Sequence, residues 1–377
     1  MSKIPLLEPC IEGREWEYVK ECFDTNWVSS AGKYVEKFEN RLADYVGARY
    51  GVATVNGTAA LHTALKVLGI QEGDKVLVPS LTFIASVNPI RYCNAVPVFV
   101  DSERQTFNVD PERVVNKIES MISNGNKPKA IIVVHLFGHP AQLDPIVEIC
   151  RQNNIFIIED ATEALGAEYK GRTVGNIGDI GCFSFNGNKL ITTGGGGMLV
   201  TDNQNWAKRA RYLTTQAKDD PKNYIHKEIG YNYRLTNLQA AMGVAQLERV
   251  DDFIVRKREI AHKYNKKIDK IPGIKISQEL DWAKSNFWLY STLVNENIFG
   301  IKAKKLYKEL NKVGIMARPF FKPIHHMPMY KKYDANIVQA DELWEQGISL
   351  PSSVGITDDE IDKIIYTLKE IRGKGGK

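Results

Sequence analysis

A chain of 377 residues with 43% hydrophobic and 25% charged content can bury two cores and is neither disordered nor fibrous. Its formal charge of +5 is modest, and no nucleic-acid motif accompanies it, so a nucleic-acid partner is not expected. Five scattered cysteines form no CxxC pair and seven histidines show no HExxH spacing, which argues against a disulfide framework or a metal site and favours a reducing compartment. His325-His326 is the one adjacent pair, and successive helical residues would not face one ligand. The start, Met1-Ser2-Lys3-Ile4-Pro5, has no signal-peptide character, and no apolar run approaches about 20 residues. A cytoplasmic protein without a membrane partner is expected.

In chain order, the pattern predicts amphipathic helices over 14–24 and 33–46, the second with Val35, Phe38, Leu42, Tyr45 and Val46 at helical spacing. Short apolar strands are predicted at 51–55, 75–79, 96–100, 130–134, 155–159 and 197–201, with a helix over 58–68 after the first. Strands alternating with helices predict an α/β fold, a mostly parallel sheet wrapped on both faces. Charged helical sequence occupies 236–270. Strands near 274–277 and 288–294 and helices near 302–313 and 357–372 follow. The expected division is a large domain over 1–250 and a smaller α/β domain over 251–377, with a long helix connecting them. Arg256-Lys257-Arg258 and Lys302-Ala303-Lys304-Lys305 read as solvated helix faces, and Gly373 to Lys377 as a frayed tail.

Four segments carry chemistry. Asn56-Gly57-Thr58-Ala59 follows a strand and opens a helix, where free N–H groups can meet a phosphate. A plain strand-to-helix turn would look the same. The absence of GxxxxGK[ST] and GxGxxG removes the usual support for nucleotide triphosphatase and dinucleotide readings. Phe83, past the end of another strand, could stack on a flat ring or pack in the core. Glu159-Asp160-Ala161-Thr162-Glu163 puts three acids at a strand end, but only Asp160 directly follows the buried stretch. Lys189 stands in Ser184-Phe185-Asn186-Gly187-Asn188-Lys189, ahead of Thr192-Thr193 and the run Gly194 to Gly197. An acid, a lysine and a hydroxyl- and glycine-rich turn are what a pyridoxal phosphate enzyme needs: the lysine holds the cofactor, and the acid keeps its ring nitrogen protonated.

Together these segments resemble the DegT/DnrJ/EryC1/StrS family of pyridoxal phosphate-dependent sugar aminotransferases, of fold type I. The resemblance runs from Trp27-Val28-Ser29-Ser30-Ala31-Gly32-Lys33-Tyr34 to the terminal helix. It implies that Gly57, Thr58, Ala59 and Ser184 cradle the cofactor phosphate, that Phe83 lies on the ring, that Asp160 pairs with the ring nitrogen and that Lys189 binds the cofactor covalently. In Gly230-Tyr231-Asn232-Tyr233-Arg234 it implies a segment crossing a homodimer interface, with Asn232 reaching the neighbouring subunit's phosphate. Trp27, Arg318 and His325 are implied substrate contacts. Glu163 stands where many members carry His or Gln against the cofactor's phenolic oxygen, and Gly195 where many carry Glu. Retention of Lys189 separates the chain from the family's dehydratases. The implied reaction moves the amino group of L-glutamate to C4 of a nucleotide-linked 4-keto-6-deoxyhexose. Branch resemblance favours UDP-2-acetamido-2,6-dideoxy-4-keto-glucose. The alternatives are a GDP-perosamine synthase-type reaction, a 3-keto sugar aminotransferase, and a binder of sugar nucleotides without catalysis.

Overall fold

The computed structural model describes residues 3–333 and 336–375. Its central sheet has seven strands: β1 (Tyr50–Thr54), β2 (Lys75–Pro79), β3 (Val96–Val100), β4 (Ala130–Val134), β5 (Phe156–Asp160), β6 (Ile180–Ser184) and β7 (Gly197–Thr201). Their spatial order is β1-β7-β6-β5-β4-β2-β3. β2 to β6 pair in parallel, whereas β7 runs antiparallel to both of its neighbours. Side chains alternate between two cores. Leu77, Ile131 and Ile157 join one, and Val76, Val78, Ile132 and Ile158 join the other. Burial on both faces is why these strands read as continuous apolar runs.

Several expectations need correction. The strand predicted at 51–55 lies one residue earlier and that at 155–159 one residue later, which makes Asp160 the last member of β5. β6 was not anticipated at all. Its sequence Ile-Gly-Cys-Phe-Ser has a glycine in second place, which weakens a strand signal. A Cβ on Gly181 would fall 1.8 Å from the Gly175 carbonyl oxygen, so close backbone approach explains the residue.

Helices α1 (Glu15–Asp24), α2 (Lys33–Val46) and α3 (Gly57–Val67) precede and follow β1. Asn56 caps α3 by accepting from the Ala59 amide at 2.8 Å. Further along come α4 (Pro111–Ser123), α5 (Asp144–Gln152), α6 (Gln204–Thr214), α7 (Asn237–Leu247) and α8 (Val250–Ile268). A capping box between Thr236 and Gln239 starts α7. α8 gives Val250, Phe253 and Ile254 to the first core and Ile260, Ala261, Tyr264 and Ile268 to a third. That third core lies with a four-stranded antiparallel sheet of β8 (Ile274–Ile276), β9 (Tyr290–Val294), β10 (Arg318–Pro319) and β11 (Gly347–Leu350), in the order β8-β9-β11-β10. Helices α9 (Ala303–Lys312), α10 (Gln339–Gln346) and α11 (Asp358–Gly375) complete the chain. α11 carries the expected terminal helix on through Gly375, and Gly376 and Lys377 lie outside the described residues. Among the described residues no helix is long and apolar enough to cross a membrane.

The amino end does not stay with the elements that follow it. Ile4 exchanges backbone hydrogen bonds with Gly314 and Met316 and belongs to the third core. Leu6 accepts from the Ser352 amide at 3.0 Å.

A buried acid locks the edge of the large sheet. Glu39 on α2 is 1% exposed and takes Arg211 of α6 and Arg234 at 2.7 Å each, and the Ala53 amide at 2.8 Å. Glu39→Ala should destabilise the fold by roughly 3 kcal/mol, the low end for breaking a buried ion pair, because the Arg211 side chain is 46% exposed. Chemical denaturation measures this, and an unmoved midpoint would deny the network its structural role.

Candidate active site

Parallel strands place ligands beyond their carboxyl ends, and a cavity of about 460 Å³ opens there. Asn56, Gly57 and Thr58 line it from the start of α3, Thr82, Phe83 and Ser86 from beyond β2, and Asp160, Thr162 and Glu163 from the end of β5. Ser184, Asn188 and Lys189 enter after β6. Trp288, Arg318, Phe321 and Ser349 come from the later part of the chain, and Leu6 and Leu7 from the amino end.

Alternation along β5 sends its two acids to opposite faces, and Glu163 follows in the turn beyond. Glu159 is fully buried, accepting from the amides of Gly175, Ile177 and Gly178 and from His135 Nε2 at 3.0 Å. Its oxygens are consumed by structure, so it offers nothing to a paired-carboxylate or metal chemistry. Asp160 faces the cavity. Ser86 Oγ donates to its Oδ2 at 2.6 Å and the Thr162 amide to its Oδ1 at 3.2 Å. Thr82 Oγ1 in turn lies 2.9 Å from Ser86 Oγ. Glu163 Oε2 accepts from the Phe137 amide at 2.8 Å, while Oε1 stands 3.7 Å from Lys189 Nζ.

Burial works on both members of that pair. It raises the Glu163 carboxyl to about 7, against the opposing pull of Lys189. It also lowers the Lys189 amine, opposed by Glu163 and Asp160. Lys189 Nζ sits 4.0 Å from the centroid of the Trp288 ring, a contact that favours the cation. The cavity therefore holds an amine shifted toward its nucleophilic form and an acid able to carry a proton near neutrality.

Gly57, Thr58, Phe83, Asp160, Glu163, Ser184, Lys189 and Arg318, all expected from sequence, come together in this one cavity. Phe83 is 52% exposed and lies 5.5 Å from Phe321, so it is not a core side chain. Ala59 is buried in the first turn of α3 and does not line the cavity. His325 also does not. Its Nδ1 is 2.7 Å from Ser80 Oγ, and its Nε2 faces Asp341. His326 Nε2 lies 2.7 Å from the same Asp341 oxygen. Residues 324–326 form a 3-10 turn, and there the two imidazoles converge, contrary to the helical expectation. Trp27 is exposed between α1 and α2, and Asn232 is exposed on the segment pinned to β1 through Val55, Tyr233 and Thr54. Sequence reasoning missed Ser86, Thr162 and Trp288. Thr162 lies inside a segment it singled out, and Ser86 stands three residues after Phe83. Trp288 arrives from the bend just before β9, with no local signal.

The sequence profile of the DegT/DnrJ/EryC1/StrS aminotransferase family matches residues 9–369. The chain belongs to that family. GDP-perosamine synthase of Escherichia coli O157:H7 is 44% identical over 371 residues, spanning 98% of this chain and 99% of that one. GDP-perosamine synthase of Caulobacter vibrioides is 39% identical over 378 residues, with shares of 98% and 99%. Among solved structures, the aminotransferase TlmJ of Streptoalloteichus hindustanus superposes with a TM-score of 0.92 at 26% identity, over 98% of this chain and 99% of that one. The protein is thus a pyridoxal phosphate-dependent sugar-nucleotide aminotransferase with the family's α/β fold.

The cavity fits that cofactor. A Cβ on Gly57 would come 2.9 Å from Ser184 Cβ and 3.2 Å from Thr162 Cγ2, so the bare glycine keeps a cradle open at the start of α3. The Gly57 and Thr58 amides precede the first intrahelical bond, and the Thr58 and Ser184 hydroxyls flank them, a donor set suited to a phosphate.

Glu163 makes the pH dependence of the cofactor-free protein testable. A carboxyl raised from 4.5 to about 7 contributes stability at low pH that is lost as pH climbs through that interval. Glu163→Gln should therefore gain in Tm relative to the parent as pH rises from about 5 to about 8. A constant Tm difference across the range would contradict the raised carboxyl.

Proposed function

We propose that the enzyme transfers the amino group of L-glutamate to C4 of GDP-4-keto-6-deoxymannose, a GDP-perosamine synthase-type reaction. The observation carrying this reading is similarity over essentially full length, 44% and 39% identical, to two proteins named for that product. It replaces the UDP-linked acetamido sugar favoured by branch resemblance, which neither relative's name supports.

Pyridoxal phosphate, when bound, would supply an aldehyde carbon to carry the amino group and an electron-withdrawing ring to stabilise charge. Lys189 would hold the cofactor and, once displaced, carry a proton away from Cα of glutamate and later deliver one to C4 of the sugar. Its lowered affinity for protons suits both roles. Asp160, fixed by Ser86, would keep the ring nitrogen protonated. Glu163, whose carboxyl burial raises to about 7, would donate to the phenolic oxygen while it retains its proton. Phe83 would cover the ring. Arg318 makes no ion pair among the described residues and lines the cavity, which suits an anionic substrate. His325 and Trp27 would meet substrate only after rearrangement or from outside the cavity as it stands.

Purified enzyme given L-glutamate and either GDP-4-keto-6-deoxymannose or the UDP-linked acetamido keto sugar decides the carrier. Amination of the GDP sugar is expected, and preference for the UDP sugar would reverse the assignment. Lys189→Ala should lose turnover by at least about a thousandfold.

Asn232 would complete the phosphate site of a second copy in a homodimer. Lys189→Ala and Asn232→Ala chains, each inactive alone, should regain about a quarter of parental activity after mixing and subunit exchange, since a hybrid dimer contains one intact site. Exchange without recovery would place Asn232 in its own subunit's site.

A further inference from the structure

Lys257 was expected on a solvated helix face, yet it is 2% exposed. Arg256 and Arg258 on either side reach outward to Glu259 and Glu279, while Lys257 points inward. Its ammonium donates to the Trp288 carbonyl at 2.8 Å, to Ser352 Oγ at 3.0 Å, and to the Ser352 carbonyl. Among the described residues it forms no ion pair. An apolar side chain of similar length would spare the desolvation of the amine but would leave the buried Trp288 and Ser352 carbonyls without this donor, so what the lysine contributes is the tie between them.

What it grips is the wall of the cavity. Trp288 sets its ring against Lys189 Nζ, and its indole Nε1 donates at 2.7 Å to the carbonyl of Asn188, the preceding residue. One indole thus fixes both the backbone before Lys189 and the amine at its tip. The Trp288 amide is held by Asn286 Oδ1 at 2.8 Å, and Asn286 also donates to the carbonyls of Glu163 and Leu165. The remaining freedom of Trp288 lies at its carbonyl, where Lys257 binds. Through Ser352, the same ammonium joins that carbonyl to the turn after β11, close to the cavity residue Ser349.

We propose that Lys257 is a positioning residue for Lys189, acting through Trp288: it anchors the indole that orients the reactive amine. The proposal rests on the reading of Lys189 as the cofactor lysine. The burial that draws the Lys257 amine down to about 7 leaves the anchor intact. A neutral amine still donates to both carbonyls and can accept from the Ser352 hydroxyl.

The test uses the cofactor-loaded enzyme and Lys257→Met. Cooperative thermal unfolding should persist, while the pH midpoint of the bound cofactor's visible absorbance should move by at least about half a unit. kcat should fall about tenfold, with KM for the sugar nucleotide changed less than about twofold. Trp288→Leu should reproduce the spectral shift, and the double variant should add nothing to it. If Lys257→Met does not fold, Lys257→Gln, which keeps two donors, takes its place and should shift the midpoint less than Trp288→Leu. A parental midpoint and kcat in the folded Lys257 variant, or additive effects in the double variant, would overturn the proposal. Lys189→Ala separates the two levels. If it retains the parental band, the lysine assignment itself fails. If it loses the band while the Lys257 variant stays parental, only the positioning role does.

Discussion

A Cβ on Gly197 would fall 2.4 Å from the carbonyl carbon of Asn56 and 2.7 Å from the Gly57 nitrogen. β7 can pass the turn before α3 only because it carries no side chain there. That approach lets an antiparallel strand sit between β1 and β6, and it brings the open end of α3 beside the end of β6. Phosphate-type donors and the lysine loop thereby share one edge of the sheet. The rest of the glycine run divides its duties. Gly194 adopts φ +76°, and a Cβ on Gly196 would strike Thr193 Oγ1 at 2.3 Å. Gly195 has only Gln239 Nε2 within reach, at 3.8 Å. A larger residue meets no backbone obstacle there, in keeping with the glutamate that many family members carry.

Around that edge the chain keeps charge scarce and fixed. Asp160 is oriented by a hydroxyl relay from Thr82 through Ser86, and Glu163 by one amide on its far oxygen. Lys189 is oriented by an aromatic face and not by a tight salt bridge. A strong ion pair would have held the amine as a cation. The longer contact with Glu163 instead leaves a raised carboxyl and a lowered amine facing each other in the cavity.

The sequence was most informative where local pattern and position coincide. Apolar runs gave all but one strand of the large sheet, and a chemical grouping at strand ends gave most of the cavity. β6 escaped because Gly181 and Cys182 are chosen for close packing, not strand propensity. Trp288 and Ser86 escaped for a different reason: each owes its place to a tertiary contact with a residue far away in sequence. Lys257 shows the limit of charge patterning. Three consecutive basic residues on a helix must point in different directions, and on α8 the middle one points into the core. The carrier nucleotide was illegible because no local motif around an exposed side chain such as Arg318 announces a partner.

The amino end shows what such tertiary debts entail. Ile4 is stitched between Gly314 and Met316, Glu8 donates its amide to Ser353 Oγ, and the intervening Leu6 and Leu7 face the cavity. Leu6 and Leu7 thus form part of the wall of the cavity that holds Lys189. Cutting the chain after Glu8, or pulling on Ile4 with a fused segment, would therefore remodel that cavity, and a loss of activity in such a protein would say nothing about Lys189 itself.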